Sequence, residues 1–101
     1  MSSVDESYQL AADRLGDLGV PERFWNCGTP LGDDRVNLVR TEAGWVVGYF
    51  ERGRWAERDE VADRTEAISL FVAKASALHR ETERVSAATD EWLRRQGRGR
   101  P

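Results

Sequence analysis

RVNLVRTEAGWVVGYFERGRWAERDEV, residues 35–61, is the stretch on which the fold turns. Three runs rich in branched and aromatic residues, RVNLVRT (35–41), GWVVGYFE (44–51) and RWAERDEV (54–61), are separated only by Glu42-Ala43 and Arg52-Gly53. Links this short join neighbouring antiparallel strands, because a parallel pair ordinarily needs a crossover of roughly a dozen residues or more. The sequence therefore predicts a meander. Alternation along the central run puts Trp45, Val47 and Tyr49 on one face and Val46, Gly48 and Phe50 on the other, so helices must cover one of two apolar faces. In the third run Trp55 and Val61 share a parity with Glu57 and Asp59, a poor pattern for burial. It predicts a partly exposed edge strand blunted by its charges.

The flanks supply the helices. Val4, Tyr8, Ala11, Ala12, Leu15 and Leu18 recur at helical spacing, Ser3 and Glu6 form a capping-box pattern, and Gly19 with Pro21 behind it ends the segment. A first helix over about 4–18 is expected. ERFWNCGTPLGDD (22–34) reads as a short extended piece and then a turn. ADRTEAISLFVAKASALHR (62–80) opens with Asp63 three before Glu66 and carries Ala67, Ile68, Phe71, Val72, Ala75 and Leu78 on one stripe. The pattern continues through Val85, Ala88, Trp92 and Leu93, as one long helix or as two with a break near HRETER (79–84). The fold class is α+β: a three- to four-stranded antiparallel meander with an N-terminal helix and one or two C-terminal helices on one face. A single domain is expected over 1–93, with 94–101 a disordered basic tail.

With 101 residues, 40% hydrophobic and 33% charged, the chain has the composition of one globular domain. Neither a signal peptide nor a membrane-spanning run is visible, which predicts a cytoplasmic protein with no membrane partner. Residues 1–66 carry 14 acidic against 8 basic side chains, and 67–101 carry 4 against 7. An acidic body favours a basic protein partner and disfavours nucleic acid.

Catalytic motifs are not evident. The glycines at 28, 32, 44, 48 and 53 fit no phosphate-binding spacing. Cys27 and His79, each the only residue of its type, fall short of a zinc set, so no metal and no cofactor are expected. Cys27 has no local histidine to activate it, and His79 sits where a cation near a helix C-terminus is favourable. Asp33-Asp34 before a strand is ordinary turn chemistry. Arg94, Arg95, Arg98 and Arg100 lack interleaved aromatic residues for base stacking. No enzyme is predicted. The charged turn at Glu51–Arg54 is different, because Trp55 follows it on an expected edge strand, and tryptophan beside arginine is the composition of an interface anchor.

Three further pieces carry a resemblance. Gly19, Val20 and Pro21, then Trp45, Val46, Tyr49, Glu51, Arg52 and Gly53 in the hairpin, then Glu66 and Ala67 at a helix start, together resemble small immunity-like proteins encoded beside secreted polymorphic toxins in actinobacteria. The likeness covers about half of the chain, Gly48 stands where the pattern carries a bulkier residue, and the segment after residue 80 lies beyond it. It implies an immunity protein that binds a cognate toxin domain, of the NAD-consuming or nucleic-acid-degrading kind, and blocks its active site. On that expectation Trp25 and Trp55 are apolar anchors, and Asp33, Asp34, Glu51, Arg52, Glu57 and Asp59 provide complementary charge. Two other classes fit the same residues. A structural or secretion-accessory, chaperone-like homodimer would self-associate through 67–93, and a nucleic-acid-binding regulator would depend on the arginine tail. Monomer and homodimer both remain open.

Overall fold

The computed structural model describes residues 4–97, in the order α1 (Val4–Asp17), a 3-10 turn (Glu22–Phe24), β1 (Trp25–Cys27), β2 (Arg35–Thr41), β3 (Gly44–Glu51), β4 (Arg54–Val61) and α2 (Arg64–Gly97). The four strands form one sheet in the order β1-β2-β3-β4. The chain is an α+β domain.

Local chemistry sets the helix ends. At the end of α1 the Gly19 N–H donates to the Gly16 carbonyl (3.0 Å) and the Val20 N–H to the Leu15 carbonyl (2.9 Å), with Gly19 at φ 71. This is a Schellman closure, which requires a left-handed residue, and Val20 and Leu15 bury together beside it. At the start of α2 the Glu66 N–H donates to Asp63 Oδ2 (2.9 Å), the cap its spacing predicted. Ser3, the other expected cap, lies outside the described residues. The two helices are tied by Arg64 Nε, which donates to the buried Ser7 Oγ at 2.6 Å.

Both hairpins form as expected. Thr41 pairs with Gly44, and Glu51 with Arg54 across Arg52 (φ 51) and Gly53 (φ 78), the two left-handed residues of a type I′ turn. Register places Val36, Leu38, Trp45, Val47 and Tyr49 on one face. There they join Ala11 and Leu15 of α1, Phe24, and Ala67, Ile68, Phe71 and Ala75 of α2 in one core. Val46, though buried, points to the other face and lies outside that cluster.

One expectation is corrected. The sheet is mixed rather than wholly antiparallel, because β1 pairs parallel with β2, Trp25 opposite Val36 and Cys27 opposite Leu38. A long crossover is not needed when the first strand has three residues: the return spans only about 10 Å, well within reach of the chain from 28 to 34. That return is held by Asn37, fully buried, whose Oδ1 accepts from Gly32 N (2.8 Å) and Asn26 Nδ2 (2.9 Å) while its Nδ2 donates to the carbonyls of Gly32 and Arg35 (3.0 Å each). Of the two alternatives for the C-terminal segment the single helix forms: α2 runs through HRETER to Gly97, and residue 93 lies inside it. Residues 98–101 of the expected tail lie outside those described.

Candidate binding surface

The hairpin tip between β3 and β4 is where the predicted site residues meet. Its Gly53 N–H donates to Asp33 Oδ1 (3.4 Å), and the Asp34 N–H donates to the Phe50 carbonyl (2.7 Å), with Asp34 itself at φ 58. Asp33, Asp34, Glu51, Arg52 and Arg54 thereby share one end of the sheet. An open concavity of about 430 Å³ beside the tip is lined by Glu51, Arg52, Arg54 and Ala56. The carboxylates leave an electrostatic mark. Burial, reinforced by the charges of Asp34 and Glu51, holds the Tyr49 phenol above its ordinary pKa.

Trp55 comes to this end through a β-bulge. Tyr49 pairs with Glu57 but Phe50 pairs with Trp55, so Ala56 is an extra residue in β4. The bulge moves Trp55 out of the parity it has in the sequence and onto the uncovered face, where its ring meets Phe50 edge-on with centroids 5.4 Å apart. Both rings are half-buried. Gly48 marks the same irregularity: a Cβ there would collide with the Glu57 carbonyl, which is why no bulkier residue fits.

The remaining predicted residues lie elsewhere. Glu57 and Asp59 face the helix-covered side and pair with Lys74 of α2, Asp59 at 3.3 Å. The hydrogen bond that Lys74 donates to Glu57, then the one it donates to Asp59, raises the Lys74 pKa against the opposing effect of burial. Trp25 sits on β1, at the opposite edge of the sheet, with its ring against Phe71 and its Nε1 donating to the Val20 carbonyl at 3.3 Å.

The chain matches no family model, no curated protein and no solved structure.

Other titratable groups have structural surroundings. Cys27 lies among Tyr8, Trp25 and Asn26, its Sγ 3.9 Å from the Tyr8 carbonyl, and burial pushes the thiol up to about 12, which keeps it in the protonated, non-nucleophilic form at neutral pH. His79 packs against the Phe24 ring and places Nε2 2.9 Å from Glu83 Oε1. Among the described residues no group of three or more His, Cys, Asp or Glu is placed to hold a metal ion, and no helix is long and apolar enough to cross a membrane. Sequence reasoning missed Phe50 as the partner of Trp55. Its only signal was Gly48, which shows where β4 runs too close for a side chain.

Proposed function

We propose that the protein is an immunity-type inhibitor that acts in the cytoplasm by binding a cognate secreted toxin domain through the β3–β4 hairpin end. The observation that carries this reading is the Phe50–Trp55 pair on the uncovered sheet face, next to the turn that gathers Asp33, Asp34, Glu51 and Arg52. A half-buried aromatic pair offers apolar area that is already held in place, so little side-chain entropy is lost on binding. The acidic balance of the body, 14 acidic against 8 basic residues over 1–66, suits a basic cleft that evolved for an anionic substrate and speeds encounter with it, while the tip itself offers both Glu51 and the guanidinium groups of Arg52 and Arg54. The immunity assignment itself rests on the sequence resemblance in the same hairpin. Trp25, Glu57 and Asp59 play no direct part, since the first packs on the core and the other two are engaged by Lys74.

The test is to read the genes flanking this one and titrate any secreted toxin domain they encode by calorimetry, with a parallel assay of its activity; flanking genes that encode no such domain would count against the proposal. Trp55→Ala is expected to weaken binding by about 2 kcal/mol while the melting temperature changes little. Unaltered binding by Trp55→Ala, or toxin activity undiminished by excess native protein, would sink the proposal.

A further inference from the structure

The distal half of α2 departs from the body without losing its pattern. Ile68, Phe71 and Ala75 are buried against the sheet and α1, and the same three-and-four spacing continues as Leu78, Thr82, Val85, Thr89 and Trp92. From Arg80 to Arg95 every residue is exposed, and Val85, Trp92 and Leu93 are 59%, 58% and 53% exposed. A helix serving only as a solvated projection has no use for an apolar seam in continuous heptad register.

We propose that residues 79–95 pair antiparallel with the same segment of a second copy, Trp92 of each arm seating between Leu78 and Val85 of the other. Three features select this occupant and orientation. The first is size. Antiparallel packing that is symmetric about residue 87 sets Trp92 against Thr82 and Val85 against Thr89, large on small in each layer. A parallel pair would force Trp92 onto Trp92. The groove that receives the indole is already present as an apolar concavity of about 340 Å³ lined by Leu78, Glu81, Thr82, Val85 and Ser86. These are the kind of neighbours that form the hole for a knob centred on Thr82.

The second feature is charge. In the same register Glu81 flanks the seam opposite Arg95 of the other copy, and the two-fold axis makes that pairing twice, with the small Ala88 between the two sites. In the single chain Arg95 pairs with Glu91 of its own helix at 2.7 Å, an exposed contact that contributes little, so turning the guanidinium to Glu81 of the other copy costs little. The third is the position of the bodies. The axis at residue 87 coincides with the middle of the exposed arm, so the overlap ends where each body begins. The antiparallel arrangement places two acidic bodies, each with 14 acidic against 8 basic residues over 1–66, at opposite ends, whereas a parallel one would set them side by side. This interface is separate from the hairpin end and stands or falls independently of the toxin-binding proposal.

The experiment is sedimentation equilibrium of the full chain over a range of concentration. A reversible species of twice 11.4 kDa is expected, and a monomer at every concentration, or a trimer, overturns the proposal. Trp92→Ala is expected to weaken the dimer roughly thirtyfold or more. Val85→Asp should abolish it. Because neither residue touches the core, both variants should keep the native circular dichroism, and a dimer as tight as the native one in either overturns the seam. Orientation is read from charge reversal: Glu81→Arg and Arg95→Glu alone should each weaken association, and the double variant should recover it. Failure of the double variant to recover rules out the antiparallel register.

Discussion

Gly48 and Cys27 show how single residues limit what this fold tolerates. At Gly48 the backbone of β4 comes so close that a methyl group would meet the Glu57 carbonyl, with no flexible side chain to give way. Gly48→Ala should therefore destabilise the domain by about 2 kcal/mol, read as a lower denaturant midpoint with an unchanged slope; an unaltered midpoint would show that the strands can part there at no cost. Cys27 gives a pH prediction with a definite sign. Its thiol is raised from 9.0 to about 12, so the unfolded chain ionises first, and the stability contributed is complete below pH 9.0 and lost as pH climbs toward about 12. Tyr49 and Lys74, raised above 10.0 and 10.5, lose stability in the same direction but begin later. Between pH 9.0 and 10.0 the melting temperature of Cys27→Ala should accordingly fall less steeply than that of the native protein. Parallel slopes would mean that the thiol ionises equally easily in both states.

Elements with local causes could be read from the sequence, and those fixed by distant contacts could not. Gly19 ends α1 and Asp63 begins α2 through bonds within one turn, and each two-residue gap produced its hairpin. The parallel pairing of β1 was hidden because it depends on Asn37 reaching back to Asn26 and Gly32, a polar contact that no periodicity encodes. The bulge at Ala56 had the same character, and it rearranged the candidate site. Sequence parity grouped Trp55 with Glu57 and Asp59, whereas the extra residue sends Trp55 to the uncovered face and leaves the two carboxylates on Lys74. Trp55 beside a charged turn was thus legible as a candidate, but its companion was not. The length of α2 was left open between one helix and two, since the polar segment 79–84 has good helix formers and no breaker.

At the scale of the molecule, the long helix divides the protein into a packed body and a projecting arm. Its buried residues lie between Ala67 and Ser76, and nothing of the body covers 80–95. Amide exchange measured in dilute monomer should therefore be slow over 67–76 and much faster over 80–95, where only the helix's own hydrogen bonds resist opening. Equal protection along the whole helix under those conditions would contradict an arm that stands free. The division also governs how the molecule moves through solvent. With principal extents of 65 × 29 × 19 Å, the chain meets far more friction than a sphere of its 11.4 kDa. It should emerge early from a sizing column and tumble anisotropically, so that its elution position reports length, and only a mass-sensitive detector counts copies.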